Sequence, residues 1–455
     1  MKEPTMVPTE KMISTNAIED NQHVKIGIVD LDGIIRGKYI SNAKFKSALK
    51  NGASFCDVVL GWDREDTIID GLNLTGWHTG FPDAPITIDQ STLRNLPLEN
   101  GTPFYLANFA GKYTPYCPRS ILKSVCDKAA EMGFHAFSGM EFEFTMFQET
   151  ENSVREKNYN NLTPLSPGSN SYSVLRTSVA SELYNEILTT CQEMNIPLEG
   201  LHEETGAGFM EVAISASSAI ETADRAILFK NVMKTIAIRN ELMVTFMAKW
   251  TMKEQGQSGH IHISLQNEDG TNIFYDDDNE FGISEKMRHF IGGQQKLMPE
   301  FLSLLAPTVN SFKRLNPDFW APTWGSWGID NRTVALRIIP GSEKSQRIEY
   351  RVPGADCNPY LAMAAVIASG LWGIKSKIEP TPISSGNAYS QVSPTELKLP
   401  ASLSEAANLF VNSEAAEEFF DIGFINHYAK TRIAEEVKFN QAITDWELAR
   451  YLETS

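Results

Sequence analysis

Cysteine is scarce, and none of the five forms a C-x-x-C pair. Cys56, Cys117, Cys126, Cys191 and Cys357 are an odd number, so they cannot all join in a disulfide framework, and a reduced, cytoplasmic chain is expected. Long apolar runs are also missing. The longest, residues 361–374, stops at Lys375, short of the roughly 20 residues that a membrane-spanning helix needs. The first twelve residues lack the apolar centre of a signal peptide. Basic residues are in deficit: 40 Lys+Arg stand against 57 Asp+Glu, a formal charge of −17. Nucleic acid and anionic membrane both call for a basic face and are excluded as main partners. No G-x-x-x-x-G-K-[ST] loop or kinase-type glycine loop occurs, which excludes those two phosphate cradles.

What is present is ordinary globular composition, 42% hydrophobic and 21% charged, in 455 residues. That length allows about three domains, or one large and one small. Residues 1–21 are polar and carry two prolines, which predicts a loose tail. Residues 24–40 (VKIGIVDLDGIIRGKYI) read as a β-hairpin around Asp32-Gly33. Residues 41–115 mix short apolar runs with Gly, Pro and Asp, as in a small sheet-rich domain with long loops. From Pro118 the pattern changes. Residues 118–133 have helical periodicity, and 135–147 alternate as a strand. A polar insert, 148–172, precedes a helix over 177–195, a strand over 210–215 and a longer helix over 222–249. Strands follow at 258–265, 332–339 and 345–352, then helices to residue 377 and in the acidic C-terminal part. This order predicts an α+β fold.

The strands carry the chemistry. Alternation over 135–147 puts Glu141, Glu143 and Thr145 on one face. Carboxylates at that spacing repel unless cations lie between them. Glu203 and Glu211 flank a glycine-rich turn, His260, His262 and Ser264 alternate on another strand, and Arg347, Glu349 and Arg351 on a fourth. Each pattern alone fits a solvated strand face. Together they make an oxygen-rich site suited to Mg²⁺ or Mn²⁺ rather than zinc. Arg314, Arg332, Arg337, Arg347 and Arg351 crowd the same stretch, and guanidinium groups bind phosphate or carboxylate in bidentate fashion. Acids with metals beside arginines are what phosphoryl transfer from a nucleotide requires, so a metal-dependent ligase or transferase is expected.

The strings GMEFEF, HEETGAGFMEV, SGHIHISL, KRLNPDFWAP, DNRTVALRI and RIEYRVPGADCNPYLAMAA, in this order, resemble the glutamine synthetase superfamily over about residues 22–455. The resemblance implies a small N-terminal β-grasp domain (22–115) and a large C-terminal catalytic domain (116–455) with helices around a barrel-like antiparallel sheet. It implies active sites between subunits of stacked hexameric rings, a homo-oligomeric dodecamer. It also implies that Glu143, Glu203 and Glu211 hold the metal that orders glutamate, and that Glu141, His260 and Glu349 hold the one that grips the phosphates of ATP. His262, Ser264 and Arg347 would contact nucleotide, Lys344 a phosphate, Arg314, Arg351 and the Gly256 backbone the glutamate, and Arg332 and Arg337 the transferring phosphate. The implied reaction phosphorylates the γ-carboxylate of glutamate, and an amine nitrogen then displaces phosphate.

Departures from the family pattern narrow the acceptor. Ammonia-using members carry a glutamate just before Ala-Pro in a flap, where this sequence has Trp320, followed by Trp324 and Trp327. An indole cannot take a proton from ammonium. Phe209 replaces a glutamine, and Gln255 stands where an asparagine is usual. These features, with the N-terminal VDLDGIIRGKYI, are similar to the branch that joins glutamate to polyamines, alkylamines or aniline. A primary organic amine, small or apolar, is the expected acceptor. Ammonia, or a non-catalytic relative, are the alternatives. Asp57 and Asp63 are candidates for an acid reaching a neighbouring subunit, with solvated loop aspartates the simpler reading. Tyr389, near a position that some bacterial members adenylylate, is given no role.

Overall fold

A computed structural model describes residues 22–317 and 320–455. The expected tail over 1–21, with Asp318 and Phe319 before Trp320, lies outside the described residues.

The chain opens with the expected hairpin, β1 (His23–Val29) and β2 (Ile35–Ser41). Its turn is closed by Asp30, whose carboxylate accepts the N–H groups of Asp32 (3.0 Å) and Ile34 (2.8 Å), and by Gly33 at φ +74°. Helix α1 (Asn42–Asn51), capped by Ser41, was not expected, because only Phe45 and Ala48 of its residues are apolar and buried. Strands β3 (Ala53–Cys56), β4 (Asp83–Ile88), β5 (Arg94–Leu96) and β6 (Thr102–Phe109) complete a six-stranded sheet of order β2-β1-β6-β4-β3, with β5 on β6. Val24, Ile26 and Ile28, one alternating set of β1, line its separate core with Phe45, Ile86 and Tyr105.

The larger sheet begins after α2 (Pro118–Glu131) with the long strand β7 (His135–Phe147). The polar insert holds α3 (Glu151–Glu156). Next come α4 (Val174–Val179), α5 (Ser181–Glu193), β8 (Leu198–Glu203), β9 (Phe209–Ser218), α6 (Ala219–Arg239), β10 (Met243–Thr245) and β11 (Ile261–Gln266). Helices α7 (Glu285–Leu297), α8 (Leu302–Leu305) and α9 (Val309–Arg314) precede β12 (Trp327–Ile329), β13 (Leu336–Ile339) and β14 (Arg347–Tyr350). Five helices close the chain: α10 (Pro359–Ser376), α11 (Leu403–Val411), α12 (Glu414–Phe419), α13 (Ile422–Asn440) and α14 (Asp445–Tyr451). The sheet order is β12-β13-β14-β11-β7-β9-β8, with β10 on β7. Its neighbours are antiparallel except β12 and β13. The fold is α+β, and the sheet is a half-barrel, open at β12 and β8.

Helices cover one face. α6 packs on β7 and β9, and α10, buried along most of its length, packs against α2, α6 and α7. Phe142 and Phe144 of β7 point to that side and meet Phe229 of α6 and Phe246. Burying each contributes about 1.5–3 kcal/mol. The opposite face of β7 is thereby left to Glu141, Glu143 and Thr145. Among the described residues no helix is long and apolar enough to cross a membrane.

Four expected elements differ. The helix expected over 222–249 ends at Arg239, because Glu241 turns left-handed (φ +56°) and the Leu242 N–H closes on Ala237 O, sending the chain into β10. The helix over 177–195 is two, α4 and α5, parted at Ala180. The strand over 332–339 starts at Leu336; Arg332 lies in a turn where Asn331 Oδ1 accepts the Thr333 N–H. The strand over 258–265 starts at Ile261, and before it the carbonyls of Ser258 and His260 accept the N–H groups of Glu143 and Glu141.

The turn of the first hairpin is tied to the C-terminal helices by a buried ion pair, Arg432 Nη1 on α13 to Asp32 Oδ1 at 2.8 Å, with Pro307 O sharing the donor. Burial opposes the Asp32 charge, but Arg432 and Arg64 outweigh it and hold the carboxyl below its ordinary value of 3.8. Arg432→Ala is expected to cost about 3 kcal/mol in chemical denaturation, because it leaves the buried carboxylate with Arg64, at 3.5 Å, as its remaining ion pair. The pair's contribution is present above pH 3.8 and is lost as the pH falls below it.

Candidate active site

The open face of the half-barrel is laid out by strand register. Glu211 on β9 stands opposite Glu143 on β7 and His202 on β8. His262 on β11 stands opposite Gly139 on β7 and Glu349 on β14, and Glu349 opposite Arg337 on β13. Two rows of polar side chains therefore cross the sheet, with Glu141 and His260 between them.

Their side chains converge. His260 Nδ1 lies 3.4 Å from Glu141 Oε2 and 3.3 Å from Glu349 Oε1, while its buried Nε2 has no hydrogen-bond partner. Arg347 Nε donates to His262 Nδ1 (3.1 Å), and His262 Nε2 lies 3.1 Å from Glu141 Oε1. His202 Nε2 lies 3.1 Å from Glu204 Oε1 and 3.6 Å from Glu211 Oε1. Three triplets bring ligand atoms within 4.8 Å of one another: Glu141, Glu211 and His260; Glu141, His262 and Glu349; and His202, Glu204 and Glu211.

The acids are unequal. Burial raises the Glu211 pKa to about 9, and the charges of Glu141, Glu143, Glu204 and Glu349 add to it. Burial also opposes the charge of Glu141, but the imidazoles of His260 and His262 beside it hold its carboxyl well below the usual range. Against the same burial, Arg351 and then His260 lower Glu349 to about 2. Arg337 Nη1 donates to Glu349 Oε2 (2.7 Å), and Arg351 donates to its other oxygen. So many oxygen ligands, with an unpartnered imidazole nitrogen among them, fit divalent cations of the Mg²⁺ or Mn²⁺ type.

Two cavities adjoin here, and Glu141 lines both. One, of about 280 Å³, is bordered by His262, Ser264, Lys344 and Arg347, with Phe137 and Glu199. The other, of about 340 Å³, holds Glu143, Glu204, Glu211, His260 and Glu349 on its floor, with Arg332, Arg337 and Arg351 around it. Tyr172, Phe209 and Trp320 form its aromatic wall, and Gln255 and Gly256 border it. Gly256 has no room for a side chain, since a Cβ there would lie 2.5 Å from Arg314 Cγ.

Glu203 is not in the cluster. It is 3% exposed, and its carboxylate accepts from Ser166 Oγ (3.2 Å) and Arg176 Nη1 (3.1 Å). Strand parity decides this: His202 and Glu204 share the cavity face, so Glu203 turns away. Arg314, 2% exposed, lies behind the cavity wall, with its guanidinium bonded to Val352 O, Arg351 O and Ser258 Oγ. Trp324 and Trp327 are buried with their indole N–H groups on Ala388 O and Thr381 O, so of the three tryptophans only Trp320, 56% exposed at φ +56°, lines the cavity. Asp57 is enclosed within the small sheet's unit by Thr75 and Tyr113, and Asp63 accepts from Lys438 and two backbone N–H groups. Sequence reasoning missed His202, Glu204 and Tyr172. The H-x-E spacing signalled the first two. Tyr172, stacked on His202 at 4.7 Å with its hydroxyl 3.1 Å from Glu204, had no signal in its polar loop.

Residues 115–451 match the family model of the glutamine synthetase catalytic domain. The chain belongs to the glutamine synthetase family. Within that family it is 45% identical, over 96% of its length and 84% of the relative's, to "Type-1 glutamine synthetase 2" of Dictyostelium discoideum. It is 37% identical, over 94% and 95%, to "Glutamate--isopropylamine ligase" of a Pseudomonas species. Its fold superposes on the solved structure "Apo GmaS without ligand" with a TM-score of 0.82 and 26% identity, covering 95% of this chain and 97% of that one. The relatives support placing this glutamine synthetase family member in the γ-glutamylamine ligase branch.

Carboxylates crowded on one floor repel one another. Glu211→Gln is expected to raise the melting temperature of the metal-free protein by about 2–4 °C. The same change removes most of the further rise that Mg²⁺ or Mn²⁺ gives the unaltered protein; calorimetry with and without a chelator reads both.

Proposed function

We propose that the protein joins the γ-carboxylate of L-glutamate to the nitrogen of a primary organic amine, with ATP as the energy source and γ-glutamyl phosphate as intermediate. The observation that carries this is the pair of adjoining cavities with Glu141 in both walls, one edged by Lys344 and Arg347 and the other floored by carboxylates beneath arginines and aromatic rings.

In this reading the nucleotide occupies the first cavity against His262, Ser264, Lys344 and Arg347. Glutamate lies in the second, its carboxylates toward Arg351, with Arg314 behind and the Gly256 backbone alongside. Glu143, Glu204 and Glu211 with His202 would hold one cation, and Glu141, His260 and Glu349 another. When bound, Mg²⁺ or Mn²⁺ supplies positive charge to the phosphate and carboxylate oxygens. Arg332 and Arg337 border the space where the phosphoryl group passes, and they stabilise its charge electrostatically. A γ-carboxylate oxygen bonds to the terminal phosphorus as the bond to ADP breaks. The amine lone pair then attacks the acyl carbon, the C–O bond to phosphate breaks, and the nitrogen loses a proton.

The acceptor enters past Tyr172, Phe209 and Trp320. Their rings favour an alkyl or aryl amine and attract its cationic form. A second ammonium, as in a polyamine, would meet Arg332 at the mouth. Division of the chain near residue 116, a cytoplasmic setting and assembly into stacked rings as a dodecamer belong to the same proposal. For the assembly, α14 buries none of its residues and exposes Trp446, Leu448 and Tyr451.

A second reading takes ammonia as acceptor, and the name of the Dictyostelium relative favours it. Phosphate release from ATP and glutamate with ammonium, alkylamines, arylamines and polyamines separates the two. The proposal expects turnover with small organic monoamines; turnover with ammonium and none with any organic amine contradicts it. Trp320→Glu is expected to lower kcat/KM for the preferred amine about 10–100-fold, ~1.4–2.7 kcal/mol, and to raise relative use of ammonium.

A further inference from the structure

Lys230, in the middle of α6, is 9% exposed and faces the back of the sheet. Its ammonium lies 5.4 and 5.5 Å from the ring centroids of Phe142 and Phe246. Phe142 stands between Glu141 and Glu143, so Lys230 is separated from the carboxylate floor only by β7. Among the described residues no carboxylate pairs with it at ion-pair distance. Burial lowers its pKa to about 8; Lys234 and Arg64 push the same way and Cys357 and Asp356 oppose, so the ammonium persists at neutral pH. Holding an ammonium here without an ionic partner is costly, and a methionine would pack against the same rings.

Its hydrogen bonds show what that cost secures. Lys230 Nζ donates to Ala355 O (2.7 Å) and Cys357 O (3.2 Å). These carbonyls belong to the segment that leaves β14, carries Arg351 at its start and ends at α10. Other bonds hold the segment elsewhere. Gly259 donates to Pro353 O, the Ala355 N–H bonds to Gln257 O, and Thr308 and Ser311 of the α9 N-terminus donate to Asp356. Asn358 donates to the carbonyls of Asp30 and Leu31 in the β1–β2 turn. Arg314 in turn grips Arg351 O and Val352 O. Lys230 fixes the stretch between these ties.

We propose that Lys230 is a positioning residue for the substrate carboxylate pole: by pinning Ala355 and Cys357 from beneath the sheet, it holds the backbone that aims Arg351 and supports Arg314. This rests on the reading that glutamate's carboxylates lie against Arg351.

The test uses the full chain with Lys230→Met, which keeps length and loses the donors, and Lys230→Gln, which keeps an amide donor. Hydrogen exchange of peptides spanning 351–358 is expected to quicken about tenfold or more in K230M, with K230Q between. KM for glutamate is expected to rise about tenfold while KM for ATP changes less than about twofold. Unchanged exchange over 351–358 overturns the proposal, as does an equal rise in both KM values. If the unaltered protein shows no glutamate-dependent phosphate release, the functional reading fails, and the exchange arm still decides whether Lys230 pins the segment.

Discussion

Mutual repulsion among carboxylates on one open sheet face is the constraint around which this structure is organised. Glu141, Glu143, Glu204, Glu211 and Glu349 share a floor with two imidazoles above it. Where these acids face one another they work against the fold, and the rigidity of the strands beneath holds each against its neighbours. Arg337 and Arg351 offset Glu349, and His260 and His262 offset Glu141, while Glu211 is left short of compensation. The deficit is what a cation, and then the phosphates it draws in, would fill.

The helix-covered face supplies the rigidity. Alternation along β7 sends Phe142 and Phe144 into an apolar layer with Phe229 and Phe246, and a one-residue slip would exchange those rings for the acids. The register that buries the rings therefore also aims the carboxylates. Segment 351–358 extends the same logic to the arginines, since it ties the end of β14 to α9, α6 and the first hairpin at once.

Much of this was legible in the sequence because a period of two is a strong signal. The E-x-E of β7, the H-x-H before and within β11 and the R-x-E-x-R around β14 each name a face without reference to a partner strand. The same rule, carried one strand further, identifies Glu204 rather than Glu203: in H-E-E, the acid that shares a face with His202 is two residues on. Where periodicity failed, local backbone had prevailed. Residues 240–242 turn on a left-handed Glu241 that no apolar pattern announces, and Arg332 reaches the cavity from a turn set by Asn331. Tyr172 lies in a polar loop whose path depends on tertiary contacts with β8, as its N–H to Glu203 O shows. The three tryptophans illustrate a further limit: composition counts indoles, but only the fold separates Trp320, which faces the cavity, from Trp324 and Trp327, which pack behind it.

The central claim is that the acids and guanidinium groups assemble a place where a carboxyl group is phosphorylated. Isotope transfer tests it most directly. With glutamate carrying ¹⁸O in its γ-carboxylate, ATP and a turned-over amine, the phosphate released should carry one ¹⁸O atom, left behind when nitrogen displaces the acyl phosphate. Phosphate free of the label, at a measured rate of amide formation, would contradict the account.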